Sequence, residues 1–158
     1  MILSDADLYK RLAADLRIEP MSADAVQPAS IDVCIDSELY HVSSDTYTHT
    51  DRICLQPGEF YLGSTQEHIT LPNDIAAQLA GRSTLGRQGV VVHKTAGWID
   101  PGFSGHITLE LYNFSDDVVT IETGSRIGQL VCMQLLSASS GYDGQYQHQD
   151  GVTHAGEL

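Results

Sequence analysis

An all-β barrel or sandwich preceded by one short helix is the fold class predicted by three observations. Short runs rich in β-branched and aromatic residues fill the chain after its first 16 residues. Turn punctuation separates them at Pro28, Pro57-Gly58, Pro72-Asn73, Gly81, Pro101-Gly102, Gly105 and Gly124. Helical spacing is read in a single segment, at the N-terminus. Many short strands with regular turns are the signature of sandwiches and barrels. The 158 residues fit one domain.

The helix opens at Ser4, an N-cap residue, followed by Asp5 and Asp7 in an acidic first turn. Leu8, Leu12 and Leu16 recur every four residues and give it an apolar stripe. The strands expected next are residues 31–35, 59–64, 67–71, 75–80, 90–93, 106–112, 118–121 and 126–136. On the strand 106–112, a period of two puts Ile107, Leu109 and Leu111 on one face, with His106, Thr108, Glu110 and Tyr112 on the other. The barrel domain then runs over 1–136. The tail, 137–158, is rich in Gly, Ser, Gln and His and is expected to be mobile unless something docks it.

Composition narrows function by exclusion. Twenty-one Asp and Glu stand against eight Lys and Arg, a formal charge of −13. Nucleic-acid binding rests on cations that neutralise phosphates, so a general nucleic-acid binder is excluded, and an anionic membrane surface is disfavoured. No apolar run approaches the ~20 residues of a membrane span, and the N-terminus carries no basic-then-apolar leader pattern. Cys34, Cys54 and Cys132 are odd in number and widely spaced, which points to a reducing, cytoplasmic setting.

The scarce cations cluster. Arg82, Arg87 and Lys94, three of the eight, fall within thirteen residues. Gly81-Arg82-Ser83-Thr84-Leu85-Gly86-Arg87-Gln88 nearly matches a phosphate loop, but Arg87 and Gln88 replace its lysine and magnesium-binding hydroxyl. No strand-to-helix context is expected around it. Two guanidiniums, two hydroxyls and two glycines still suit a multiply charged phosphate, and a plain polar turn is the alternative.

Glu110 has two readings: a carboxylate on a solvated sheet face, or a partly buried acid–base group whose pKa is raised by desolvation. Asp100, before Pro101-Gly102, either starts a turn or orients a water or sugar hydroxyl. Zinc chemistry of the nucleobase-deaminase kind needs a Cys-x-x-Cys that this chain lacks. Its seven histidines show no i, i+4 pair. No protein-bound metal is expected.

Five ordered blocks, with an echo in the tail, then identify a resemblance. They are Ile2-Leu3-Ser4-Asp5, Val26-Gln27-Pro28-Ala29-Ser30-Ile31-Asp32-Val33, Gly81 to Arg87, Thr95-Ala96-Gly97-Trp98-Ile99-Asp100-Pro101-Gly102-Phe103-Ser104-Gly105 through Glu110, and Arg126-Ile127-Gly128-Gln129-Leu130. The echo is Tyr146-Gln147-His148-Gln149-Asp150-Gly151. Together they resemble the dCTP deaminases of the trimeric dUTPase-like superfamily.

The resemblance implies a mainly β fold, a distorted β-barrel of the dUTPase-like (β-clip) type with a short N-terminal helix. It implies a homotrimer with active sites between subunits, closed by the tail. Its substrates are dCTP and dUTP, with Mg²⁺ carried on the triphosphate. Glu110 falls on the family's catalytic glutamate, which relays protons while water attacks C4. Ser83 and Arg87 fall on positions that assist the chemistry and hold phosphates, with Arg82 as a second phosphate contact. Asp100 matches the aspartate near the deoxyribose. Gln129 and Gln149 match glutamines that contact base or triphosphate, and Trp98 and Tyr146 complete the expected substrate-contacting set.

Thr95-Ala96-Gly97-Trp98 resembles the members that also cleave diphosphate and release dUMP. Single-activity members, which release dUTP, often carry a His-Arg pair in place of Gly97-Trp98. A small Gly97 is expected to leave room for a second water that Asp100 aims at the α-phosphate. Departures occur in the tail, where Gln145 stands for a common lysine and Thr153-His154-Ala155-Gly156-Glu157-Leu158 replaces the usual ending. The glycine-rich tail motif of stand-alone dUTPases is absent, which argues against a pure dUTPase. A non-catalytic nucleotide-binding trimer is disfavoured because Ser83, Arg87, Asp100 and Glu110 are all retained. With only Lys10 and Lys94 as lysines, the acidic surplus reads as an adaptation to high salt.

Overall fold

A computed structural model describes residues 1–155. Helix α1 (Asp5–Ala14) is followed by β1 (Arg17–Glu19), β2 (Val26–Gln27), β3 (Ser30–His41), β4 (Thr46–His49), β5 (Arg52–Leu55), β6 (Phe60–Thr70) and β7 (Ile75–Gly81). A short helix α2 (Ser83–Arg87) leads to β8 (Val90–Val91), β9 (Trp98–Ile99), β10 (Ser104–Asn113), β11 (Val119–Glu122) and β12 (Arg126–Gln134). The main sheet runs β8-β10-β6-β3-β12-β7-β9, with β1 on β6 and β2 and β4 on β3, while β5 and β11 form a separate ribbon. All of these pairings are antiparallel, and the sheet curls into a half-barrel as expected for the mainly β class.

The N-terminal helix forms as its caps dictate. Ser4 Oγ accepts from Asp7 N–H and donates to the Asp7 carboxylate at 2.9 Å. The helix ends at Ala14, so Leu8 and Leu16 are fully buried while Leu16 lies beyond the last turn. Arg11 ties this end to the barrel through Asp74 and Gln134, at 2.6 and 2.7 Å. That guanidinium holds the Asp74 carboxyl down to about 2.

The expected strands 59–64 and 67–71 are one strand, β6. The polar residues between them look like a break but serve a bulge. Thr65 is fully buried; its hydroxyl donates to Glu67 O at 2.8 Å and accepts Ile107 N–H at 3.0 Å. These bonds stand in for ladder bonds where β10 slips register between His106 and Thr108. Glu67, 5% exposed, accepts Cys34 N–H on both oxygens, and burial pushes its carboxyl above the ordinary range. β3 likewise runs on past Ile35, through Asp36-Ser37-Glu38 to His41. β4 escaped the sequence pattern because all four of its residues are exposed.

One further expectation is corrected: β7 enters α2 directly, so Arg82 to Arg87 do sit in a strand-to-helix context. The core is packed on one face of the sheet. Leu109 and Leu111 from β10, Ile31, Val33 and Ile35 from β3, and Leu79 from β7 are among its fully buried side chains. The opposite face of β10 carries the polar set, as its strict burial alternation shows.

Candidate active site

Glu110 sits on that outer face of β10, opposite Leu62 of β6, which pairs in turn with Tyr40 of β3. These three strands floor a cleft of about 590 Å³, which Trp98, Asp100, Tyr146 and Gln149 also line. Five of the nine residues singled out in the sequence are therefore brought together. Much of the remaining wall is apolar, including Phe60, Leu62, Phe103 and Tyr142. No periodicity marked these as site residues, because a cleft floor and a core face carry the same side chains.

The turn after β8 wraps the Glu110 carboxylate. Oε2 accepts the N–H groups of Lys94 at 2.5 Å and Thr95 at 2.7 Å, and Oε1 accepts the Thr95 hydroxyl at 3.2 Å. Partial burial alone pushes its pKa up. The donors at Thr95, Lys94 and Ala96 together outweigh burial and hold the carboxyl below its ordinary value. The raised pKa considered from the sequence is thus corrected: this carboxylate is held ionised, in the form that takes a proton. Oε1, with one long contact, is the less committed oxygen.

Gly97 has a role different from the expected one. A Cβ there would lie 2.8 Å from the His93 imidazole, so the ring fills the space the sequence reading gave to a second water. Only a bare Cα lets the turn fold onto His93. His93 Nδ1 is buried with no hydrogen-bond partner among the described residues. Asp100 does start a turn, its carbonyl accepting Phe103 N–H at 3.2 Å, and its Oδ1 also accepts the Trp98 indole N–H at 3.0 Å.

The tail docks as far as it is described; Gly156, Glu157 and Leu158 of its ending lie outside the described residues. His148 N–H donates to Ser104 O at 2.7 Å, and His106 N–H donates to Gln149 O at 3.0 Å. The segment thereby adds to the edge of β10. Gly105 makes this possible, since a Cβ there would meet Gln149 O at 2.8 Å. The Gln149 amide donates to His106 O, and Gln147 bridges Ser104 N–H and Gly102 O at 2.9 Å each. Gln147 is the anchor that sequence reasoning did not single out. Val152 is buried, and its N–H reaches the Glu38 carboxylate at 2.9 Å.

The other four expected residues lie elsewhere. Ser83 and Arg87 are exposed on α2, and Arg87 lines a second, shallower cleft with Phe114, Ser115 and Asp117. Arg82 Nη1 lies 3.3 Å from the buried Asp32 carboxylate, and Gln129, paired with Asp32 across the sheet, accepts from Ser30 Oγ at 3.3 Å. None of the four lines the Glu110 cleft. Among the described residues, no three His, Cys, Asp or Glu side chains converge into a metal-holding group.

Comparison with known proteins connects these features. Residues 2–135 match the family model described as dCTP deaminase-like. The dUMP-forming dCTP deaminase of Kocuria rhizophila is 42% identical over 97% of this chain and 93% of its own length. That of Rhodococcus opacus is 44% identical over 97% and 94%. The Kocuria alignment runs to 178 positions, more than the 158 residues here, so that relative carries segments this chain lacks. Among solved structures, the Agrobacterium tumefaciens dCTP deaminase shares the fold with a TM-score of 0.70 at 23% identity, over 83% of this chain and 47% of its own. The EIAV dUTPase does so with a TM-score of 0.55 at 20% identity, over 84% and 98%. The half-barrel, the cleft around Glu110 and the match over residues 2–135 agree, and the chain belongs to the dCTP deaminase-like family.

Proposed function

We propose that the protein hydrolyses dCTP to dUMP, ammonia and diphosphate in one site. The observation that carries this is the ionised Glu110 in a cleft shared with Asp100, on a chain about 43% identical to dUMP-forming dCTP deaminases. Glu110 takes a proton from the water that attacks C4 and returns it to the pyrimidine as ammonia leaves. A single carboxylate serves both steps because it accepts first and donates afterwards. Ser83 fixes the attacking water, and Arg82, Arg87 and Gln129 hold the triphosphate. Tyr146 and Gln149 close the cleft from the tail, and Trp98 lines its mouth beside the deoxyribose. Asp100, held by Trp98, then orients a second water, which enters from the cleft and not beside Gly97, toward the α-phosphate of the dUTP formed.

Mg²⁺ arrives on the triphosphate, where it screens the phosphate charge. The single-chain geometry supports a homotrimer. The cleft holding Glu110 lacks the phosphate-binding residues, and Arg82, Arg87 and Gln129 lie outside it, before α2, on α2 and on β12, so copies in contact complete each other's sites. The protein works in the cytoplasm, at high salt, where its surplus of carboxylates repels least.

Incubating the enzyme with dCTP and Mg²⁺, and separately with dUTP, decides the reading. Conversion of dCTP to dUMP and diphosphate without free dUTP is expected. Accumulation of dUTP would leave a single-activity deaminase, and no turnover of either would leave a nucleotide-binding trimer. A companion unfolding series should show stability rising with molar KCl; greatest stability at low salt would refute the high-salt reading.

A further inference from the structure

Asp32 is 4% exposed, and a carboxylate so buried needs cationic partners. It has two. Arg82 Nη1 and Arg126 Nη1 approach the same oxygen, Oδ2, at 3.3 and 3.2 Å. One buried oxygen therefore draws two guanidiniums together at the end of β7 and the start of β12. Two of the chain's eight cations are committed to this one carboxylate.

Arg126 has a second contact. Its Nη2 is bonded to the Asp24 carboxylate, whose side chain is 77% exposed. So exposed a pair is screened by water and holds the guanidinium only weakly. An oxyanion already occupies the outward fork of Arg126, and a more highly charged one can replace it. Guanidinium forks fixed from behind by a buried carboxylate are preorganised for phosphate, because little rotamer freedom remains to be lost.

We propose that Arg126 is a phosphate-binding residue, forming with Arg82 a two-arginine clamp on Asp32 that takes the triphosphate, with Asp24 as the carboxylate it displaces. The proposal rests on the nucleotide reading above and adds Arg126, Asp32 and Asp24 to it. Asp32 is a positioning residue; Arg126 and Arg82 touch the phosphate.

The test titrates the full chain calorimetrically with inorganic tripolyphosphate in Mg²⁺, and with 2′-deoxycytidine, which has no phosphate. R126Q should weaken tripolyphosphate binding roughly 10- to 100-fold, the size of a charge-assisted contact, and leave deoxycytidine binding unchanged. R126K should recover part of the loss, keeping the charge without the fork. D24N leaves Arg126 and Asp32 in place and should tighten tripolyphosphate binding about 2- to 5-fold by removing the competing carboxylate. If folded R126Q binds tripolyphosphate as the wild type does, or D24N weakens binding, the clamp is overturned and the ion pairs serve the fold alone. If dCTP is not turned over while tripolyphosphate binding still depends on Arg126, the proposed function fails and the clamp stands.

Discussion

The Glu110 cleft and the cation-bearing end at α2 and β12 differ in how their parts are held. In the cleft, the Glu110 carboxylate is bound by backbone N–H groups of its own chain, and a docked tail covers part of the opening. At the other end, Ser83 and Arg87 stand exposed on a five-residue helix, and Arg82 is held only from behind by Asp32. One region is built to position a proton acceptor before substrate arrives. The other presents charge and waits for a surface to meet. The proposed catalytic set is divided in the way that a site shared between copies requires.

The largest effects should separate the two regions by kinetic signature. E110Q removes the proton carrier and should lower kcat about 10²- to 10⁴-fold while nucleotide binding persists. R87Q removes a phosphate contact and should instead raise KM for dCTP roughly 10- to 100-fold, with kcat changed far less. Steady-state kinetics with dCTP checks both; the reverse pattern would exchange the regions' roles.

A smaller effect sharpens the description of the cleft. G97A places a Cβ against His93 and shifts the turn that supplies the Glu110 donors. Overpacking of this kind costs about 1–3 kcal/mol of stability, and displacing the donors from Glu110 should lower kcat roughly 10-fold. Adding H93A removes the clash and should restore part of the rate, which a double-mutant cycle measures. Strict additivity of the two substitutions would show that His93 and Gly97 do not act together.

The difference between regions also explains what could be read from the sequence. Alternation placed Glu110 on the outer face of β10, and Ser4 and the leucines placed α1, because period and capping are local properties. The continuity of β6 and β3 was not legible. Thr65 and Glu38 look like turn residues until a bulge and a docked tail use their polar atoms. The donors that lower the Glu110 pKa come from fifteen or sixteen residues away and act through backbone N–H groups that no side-chain pattern records. Gly97 read as empty space because sequence does not show which ring lies across from it. Nor could it show that Arg126 and Arg82, 44 positions apart in the chain, share Asp32.

The smallest effect follows from the Glu110 carboxylate. Its folded pKa lies below the unfolded one, near 4.5 for an ordinary glutamate, so the folded state binds the proton more weakly. Glu110 therefore stabilises the fold fully above that value, and the contribution disappears as pH falls through the lowered one. The difference in urea midpoint between wild type and E110Q should be constant near neutrality and shrink below about pH 4.5. A difference that grows on acidification would mean that the carboxylate is not held by the 94–96 backbone.

The division of the catalytic set between copies is tested most directly by mixing subunits. E110Q and R87Q, each nearly inactive at dCTP concentrations below KM, are unfolded together, refolded at equal amounts and assayed. If each site takes its glutamate from one copy and its arginine from another, about a quarter of the sites regain both, and activity should rise to about a quarter of wild type. Activity no higher than that of the two variants assayed separately would place both residues in one chain's site and contradict the shared-site account.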